Sequence, residues 1–275
     1  MEKALYPVVV LCRVLRVSRS GFYAWHSRPE SKRAARDRVL RVHLRAAFRQ
    51  HKGRCGSPRL HRDLRAIGER VSRKRIARLM RLDGLMARRP RRFRRTTDSR
   101  HGFRCSPNLI RRRFATGAPN RVWVADITYL WTDAGWVYLA CVLDLGSRRI
   151  VGWSLQTHLA TDLALQALRA ALVHRRPRIH HSDRGVQYAS TGYQAELRQH
   201  RIASSMSRKG NCWDNAVMES FFGTLKQELH PLRFDDVEHA RREIAEYIAY
   251  YNTSRRHSAL LYVSPMEYEL KRAMR

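Results

Sequence analysis

Three acidic residues stand where a folded protein rarely places a charge: Asp126, Asp183 and Glu219. Asp126 interrupts a nine-residue run of β-branched and aromatic residues, 122–130, which predicts a strand buried on both faces. Asp183 directly follows the short segment 178–182, so it lies where a strand is expected to end in a turn. A carboxylate in such a position is unfavourable unless a cation compensates its charge.

Glu219 belongs to the segment 215–229, whose spacing predicts a helix that ends before Pro231. At about 100° per residue, three polar side chains fall within roughly 40° of one another: Asn215, Glu219 and Lys226. Three apolar side chains fall on the opposite side: Val217, Phe221 and Leu225. The apolar side is expected to pack, and the polar side to face a charged partner.

The order and spacing of these carboxylates indicate a metal site. Asp183 comes 57 residues after Asp126, and Glu219 comes 36 residues after Asp183. Two aspartates from strands and a glutamate from a later helix can converge on Mg²⁺ or Mn²⁺, which prefer carboxylate and water oxygens. Two such ions, about 3.5 to 4 Å apart, activate the attacking oxygen and stabilise the leaving oxygen of a phosphodiester. We therefore predict a DNA-cutting enzyme with these three residues as catalytic metal ligands.

The positive charge of the chain is concentrated in its N-terminal part. Residues 1–118 hold 34 Lys and Arg against 7 Asp and Glu, whereas residues 119–275 hold 21 against 16. This asymmetry indicates a polyanion-binding part joined to a nearly balanced catalytic part. Codon usage in a GC-rich genome is an alternative explanation for the preference for Arg, since only 7 of the 55 basic residues are Lys. It does not explain the asymmetry.

Several classes of protein are excluded by composition. No apolar run reaches the length of a membrane span, and Arg13 and Arg16 interrupt the apolar start without a small-residue cleavage site after it. The five cysteines are scattered, without zinc-ligand spacing or a disulfide pattern. A cytoplasmic protein is the simpler interpretation.

A helix-turn-helix is predicted within the basic part. Ser57-Pro58 starts a helix that Gly68 ends, and Ser72 then caps a second helix, Arg73 to Leu82. The second helix carries the basic residues expected to contact DNA: Arg73, Lys74, Arg75 and Arg78. A solvated basic face on an ordinary helical bundle is the alternative.

At roughly 150 residues per domain, 275 residues predict two domains or more. The segments expected are an N-terminal helical segment (1–35), the helix-turn-helix domain (36–87), a basic linker (88–118), the catalytic core (119–230) and a C-terminal helical region (231–275). The linker either lies along phosphates or is a solvated tail. In the core, three strands, helix, strand, helix, strand, helix is the order of a ribonuclease-H-like mixed α/β sheet of five strands.

The polar loop 207–211, before the Glu219 helix, supplies two further residues expected at DNA: Arg208 and Lys209. Other polar residues near the carboxylates have simpler explanations. Asp144 is expected to form a turn, and His180 and His181 have packing roles at least as plausible as contacts to metal ligands. Asp214 and Asn215 are expected to cap the following helix.

Three segments carry the motifs of a known family: 122–129 (VWVADITY), 180–188 (HHSDRGVQY) and 205–226, from SMSRKGNCWDNA to ESFFGTLK. The chain resembles the catalytic, second-reading-frame transposases of insertion-sequence family three, whose core is similar to retroviral integrase. Downstream residue pairs resemble the family's C-terminal pattern: Tyr251-Asn252, Arg256-His257 and Ser264-Pro265. Residues 56–85 resemble its helix-turn-helix segment, so the resemblance covers nearly the whole chain.

The resemblance implies DNA transposition through a DDE site. The family's metal ligands correspond to Asp126, Asp183 and Glu219, and its motif lysine to Lys226, which is expected near DNA phosphate. Metal-activated water cleaves at terminal inverted repeats, and the resulting 3′-hydroxyl attacks a second phosphodiester. The implied partners are double-stranded DNA, further copies of the chain, and an upstream-frame protein or fusion. The implied location is the bacterial cytoplasm, in association with the nucleoid. A nuclease that only hydrolyses and a DNA-binding repressor with a decayed core are the alternatives.

Overall fold

The computed structural model describes residues 6–88, 103, 105–208, 212–229 and 233–274. The chain divides into two compact units, Met1–Met86 and Ala87–Arg275. Among the described residues, no helix is long and apolar enough to cross a membrane.

The described residues of the first unit form helices, as predicted. They are α1 (Val8–Val14), α2 (Arg19–Ser27), α3 (Lys32–Gln50), α4 (Ser57–Ala66) and α5 (Arg73–Leu82). Apolar residues at helical spacing form one buried cluster between α3, α4 and α5, which includes Leu40, Leu44, Leu60, Leu64, Ile76 and Leu79. The Ser72 hydroxyl accepts a hydrogen bond from the Arg75 backbone N–H at 3.3 Å, so Ser72 caps α5 as the sequence predicts.

Acidic side chains of the first unit connect α3 to its neighbours. Asp37 on α3 pairs with two arginines of α5, Arg75 and Arg78. In the opposite direction, Asp83 after α5 pairs with two arginines of α3: Arg41 and Arg45. The hydrogen bonds from Arg41 and Arg45 lower the pKa of the Asp83 carboxyl. These ion pairs therefore connect α3 with α5 and with the residue that follows α5.

The second unit is built on a mixed five-stranded sheet. Its strands are β1 (Val122–Thr132), β2 (Gly135–Asp144), β3 (Ile150–Gln156), β4 (Ile179–Ser182) and β5 (Ala203–Met206). The strand order is β3-β2-β1-β4-β5, with β1, β2 and β3 antiparallel and β4 and β5 parallel to β1. This is the ribonuclease-H-like arrangement that the sequence predicts.

Helices cover both faces of this sheet. The helices are α6 (Thr161–Leu172), α7 (Val186–Ala189), α8 (Thr191–Gln199), α9 (Ala216–Glu228), α10 (Val237–Thr253) and α11 (Pro265–Ala273). Alternation along β1 divides the core, because Val122 and Val124 pack with α9 and α10, whereas Trp123 and Ala125 pack with α6 and α8. Gly152 allows the close approach of α6, since a Cβ there would lie 2.2 Å from the Ala167 carbonyl oxygen.

The relative lengths of β1 and β4 leave part of β1 open. β1 has 11 residues and β4 has 4, and β4 pairs only with residues 122–124 of β1. From Ala125 onward, no strand among the described residues pairs with this edge of β1. The edge therefore has backbone groups free to meet helix α9.

A buried ion pair joins α9 to the chain after α10. Glu228 at the end of α9 accepts hydrogen bonds from Arg255 Nη2 at 2.8 Å and from Arg255 Nε at 2.9 Å. The Tyr247 hydroxyl donates to the same carboxylate at 3.1 Å. The side chains of Glu228 and Arg255 are 2% and 7% exposed, so both charges depend on one another.

Glu228→Gln should destabilise the second unit, because Arg255 would keep a buried charge without its counter-charge. We expect the free energy of unfolding, measured by urea denaturation, to fall by about 3–5 kcal/mol. Glu267→Gln is the matched control, since Glu267 pairs with Lys271 on an exposed face of α11, where such a pair contributes about 0.3–0.5 kcal/mol. Similar losses in both variants would contradict the special role of the buried pair.

Candidate active site

Asp126 lies in the middle of β1, opposite Cys141 of β2, and its side chain is half-buried. Its Oδ1 accepts a hydrogen bond from the Ile127 backbone N–H at 2.8 Å. Removal from water raises the pKa of Asp126 well above its ordinary value, and the negative charge of Asp183 raises it further. Glu219 acts in the same direction, whereas Lys226 opposes it. The fold therefore brings these four side chains within electrostatic reach of one another.

Asp183 is the first residue after β4. Its Oδ1 accepts a hydrogen bond from the Gly185 backbone N–H at 2.8 Å, which closes a tight turn before α7. A Cβ on Gly185 would lie 3.0 Å from the same oxygen, so glycine gives the carboxylate room. The end of β4 thus holds Asp183 beside the open edge of β1.

Helix α9 carries Glu219 and Lys226 on its polar side, and both are half-buried. Phe221 and Leu225 are buried in the core on the other side, as the helical phase predicts. Burial lowers the pKa of the Lys226 ammonium, and the charge of Asp126 offsets part of this effect. The ammonium also lies over the Tyr129 ring, 5.5 Å from its centroid.

Asn215 connects α9 to β1 in a way that the sequence did not predict. It occupies the N-cap position of α9, but its side chain makes no capping hydrogen bond. Instead, its Nδ2 donates to the Ala125 carbonyl at 3.2 Å, the first carbonyl on the open edge of β1. Its Oδ1 is buried and has no hydrogen-bond partner among the described atoms. The only signal in the sequence was its helical phase, which it shares with Glu219 and Lys226.

The expectation that Asp214 caps α9 was also wrong. Its buried carboxylate accepts hydrogen bonds from Arg208 Nε at 3.1 Å, Arg112 Nε at 3.0 Å and Asn108 Nδ2 at 2.9 Å. Burial alone would raise the pKa of Asp214, but the hydrogen bonds from Arg208 and Arg112 outweigh it and leave the pKa below its ordinary value. Asp214 therefore holds the segments that carry Arg208, Arg112 and Asn108 together just before α9 begins.

The other polar residues near the site have structural partners. Asp144 accepts backbone hydrogen bonds from Gly146 and Ser147, which confirms the predicted turn. His180 contacts the Tyr193 hydroxyl, and His181 lies between the Ser205 hydroxyl and the Asp214 carbonyl. Burial lowers the pKa of His180 to about 3 and that of His181 to about 4, so both rings are neutral near pH 7.

The predicted DNA-contacting residues have different surroundings. Arg73 and Lys74 are exposed on α5, whereas Arg75 and Arg78 are half-buried and pair with Asp37. Arg208 pairs with Asp214 while its side chain stays 58% exposed. Lys209 lies outside the described residues.

The carboxylates suit a hard divalent cation in their chemistry. Negative charges gathered in a partly dry site raise the pKa of Asp126, and a cation between them would offset that unfavourable energy. Among the described residues, however, no three His, Cys, Asp or Glu side chains already stand at the spacing of a shared metal ion. The three carboxylates are thus the right type of ligand for such a cation. To share one ion, their side chains must come closer together.

Comparisons with known proteins show the family to which the chain belongs. Residues 117–212 and 200–265 match integrase core domain families, and residues 34–93 match an HTH-like domain. The transposase InsF of insertion sequence IS3A from Escherichia coli K12 is 44% identical over 278 residues, covering 98% of this chain and 96% of InsF. The chain belongs to the IS3-family transposases.

A second relative of this transposase is the uncharacterized 31 kDa protein of insertion element IS600 from Shigella sonnei, 42% identical over 95% of the chain and 98% of the relative. Among solved structures, a simian T-cell lymphotropic virus intasome matches 82% of the chain and 74% of its own, with 15% identity and a TM-score of 0.49. The HTLV-2 integrase catalytic core in complex with magnesium matches 55% of the chain and 97% of its own, with 16% identity and a TM-score of 0.42.

Asp126→Asn should stabilise the metal-free transposase at pH 7. The pKa of Asp126 is raised in the folded state, so the ionised form weakens folding, and each pKa unit corresponds to about 1.4 kcal/mol. We expect a gain of at least about 1 kcal/mol in urea denaturation with a chelator present. The gain should shrink as the pH falls through the raised pKa, and vanish below the unfolded value near 3.8.

Asp235→Asn is the control, since this side chain is 82% exposed and pairs with His239 in the first turn of α10. A stability gain that does not change with pH, or an equal gain in the control, would contradict the electrostatic account of Asp126.

Proposed function

We propose that this transposase cleaves DNA at the terminal inverted repeats of its element and joins the resulting ends to target DNA through a DDE site. Support comes from one arrangement above all: Asp183 at the end of β4 and Glu219 on α9 both lie close enough to Asp126 on β1 for their charges to act on it. They would hold two divalent ions, Mg²⁺ or Mn²⁺. When bound, such a pair activates the attacking oxygen and stabilises the leaving oxygen of a phosphodiester.

The side chains of the chain have separate tasks in this proposal. Asp126 on β1 and Asp183 directly after β4 would hold the ions that position the scissile phosphate. Glu219 on α9 completes the donor set, and Asn215 holds the start of α9 against β1. Lys226 extends its ammonium toward the same site and contacts a DNA phosphate. The same in-line displacement serves both steps, first with water and then with a 3′-hydroxyl as the nucleophile.

We further propose that α5 presents the first unit to double-stranded DNA. Arg73 and Lys74 are the exposed cations at its N-terminal end, the end that reads bases in helix-turn-helix proteins. Arg75 and Arg78 contact DNA only if they can reach it from their pairs with Asp37. Arg208 and Lys209 add cations before α9.

The segments 1–35, 36–87, 88–118, 119–230 and 231–275 remain the proposed domain organisation. Since strand transfer joins two ends, the active form is proposed to be an oligomer on DNA in the bacterial cytoplasm, alone or with the product of an upstream frame.

Asp183→Asn should abolish cleavage and joining but spare binding of the element ends. Loss of several kcal/mol of transition-state stabilisation corresponds to about a 10³-fold decrease in rate or more. The measurement uses a labelled terminal repeat with Mg²⁺, resolved into cleaved and joined products, with end binding followed by gel shift. Asp162→Asn, an exposed position on α6, is the matched control and should cleave normally.

Three outcomes would contradict this function. Unchanged cleavage by the Asp183 variant would refute the site, and hydrolysis by the unaltered chain without joining would point to a plain nuclease. End binding without any metal-dependent chemistry would point to a repressor.

Salt dependence should separate the exposed basic residues of α5 from those that pair with Asp37. Lys74→Ala should weaken DNA binding and reduce the slope of log K against log salt concentration by about 1, because one phosphate contact is lost. Arg75→Ala should instead lower the stability of the first unit, since Asp37 would lose one of its two arginines. Fluorescence anisotropy at several salt concentrations and thermal unfolding measure the two effects. An unchanged slope for Lys74→Ala would contradict its contact with DNA.

A further inference from the structure

The β1–β2 hairpin carries four aromatic rings on one face. Tyr129 lies opposite Tyr138, and Trp131 lies opposite Trp136, so their side chains point to the same side of the sheet. The rings touch edge to face: the centroids of Trp131 and Trp136 are 5.0 Å apart, and those of Tyr129 and Trp136 are 5.6 Å apart. We call Tyr129, Trp131, Trp136 and Tyr138 the aromatic surface.

Two members of this surface are unusually exposed for their size. Trp131 and Trp136 each keep 51% of their area in contact with solvent, whereas Trp123 on the same strand is fully buried. Large exposed aromatic side chains that touch one another are typical of a binding surface, since folding alone would favour covering them.

The hairpin that carries the aromatic surface is held in place. Gly135 adopts a φ of 116°, which closes the turn, and the Thr132 hydroxyl donates to the Gly135 carbonyl at 2.8 Å. The Asp133 backbone N–H donates to the carbonyl of Phe234, a core residue, at 2.8 Å. Because the hairpin is anchored and the rings contact one another, a ligand that stacks on them loses less free energy in arranging them.

One residue connects the aromatic surface to the candidate active site. Tyr129 follows Asp126 by three residues, so the two side chains point to opposite faces of the sheet. Lys226 joins the two regions, since its ammonium lies 5.5 Å from the Tyr129 centroid and interacts with the charge of Asp126. A cation at the inner end of an aromatic surface suits a ligand with both phosphates and flat rings. Binding of a second copy of the chain to the aromatic surface would not explain why a cation lies at this position.

We propose that the aromatic surface binds unpaired bases of the DNA strand whose phosphate is held by Asp126, Asp183 and Glu219. This inference rests on the proposed function, because it assumes that these carboxylates receive the DNA end. The bases must be unpaired, since base pairing and stacking in a duplex hide the faces that Trp131 and Trp136 would contact. The surface thus favours a frayed or single-stranded end over intact duplex.

The test measures binding in a chelator, so that no cleavage is needed. The probe is a duplex of the terminal repeat that flanks the gene, ending in a short single-stranded extension that carries 2-aminopurine; the same DNA fully paired is the comparison. The unaltered chain should quench the 2-aminopurine and bind the extended DNA about tenfold more tightly. Trp131→Phe should keep this preference, because it keeps an aromatic face, and Trp131→Leu should lose it.

Two controls isolate the aromatic surface. Trp25→Leu removes a tryptophan that is 66% exposed in the first unit, and it should retain the preference. Trp136→Leu tests the second exposed ring and serves if Trp131→Leu fails to fold by circular dichroism.

Equal affinity of the unaltered chain for extended and paired DNA would overturn the proposal. So would a Trp131→Leu variant that sediments as a smaller species yet quenches 2-aminopurine normally, since that result assigns the surface to contact between copies. Failure of the proposed function is separate: it would appear as undiminished cleavage by Asp183→Asn, whatever the preference for unpaired DNA.

Discussion

The second unit depends on one geometric constraint: β4 ends after four residues while its neighbour β1 continues to Thr132. The edge of β1 that β4 leaves open needs other partners, because backbone polar groups in a folded interior must be satisfied. Asn215 supplies one of them through the Ala125 carbonyl. The same early ending of β4 places Asp183 beside Asp126, so that the open edge and the acidic site have one origin.

The acidic site is unfavourable for the fold that carries it. Desolvation and the neighbouring charges raise the pKa of Asp126, which means that the folded chain would prefer to neutralise this group. The opposite side of α9 compensates by burying Phe221 and Leu225 in the core. Function is thus concentrated on one side of a helix whose other side is anchored in the core.

Charge has a different role in the first unit. Its large excess of arginine indicates a partner with negative charge, but the sequence does not reveal which arginines are available to that partner. Arg75 and Arg78 look equivalent to Arg73 in the helical pattern, yet they pair with Asp37, which lies 38 and 41 residues earlier in the chain. Pairs between helices depend on which faces pack together, and helical phase alone does not determine this.

Local patterns in the sequence determined most of the elements: the strand around Asp126, the cap at Ser72, the two sides of α9 and the mixed sheet with its flanking helices. These features follow from periodicity and turn chemistry, which act over a few residues. The single turn of α7 was too short to show a period. Tertiary structure alone decided that Asn215 bonds to β1, that Asp214 binds Arg208 and Arg112, and that four aromatic rings form one surface beside Lys226. Each of these depends on strand register and on contacts between distant segments, which no local pattern encodes.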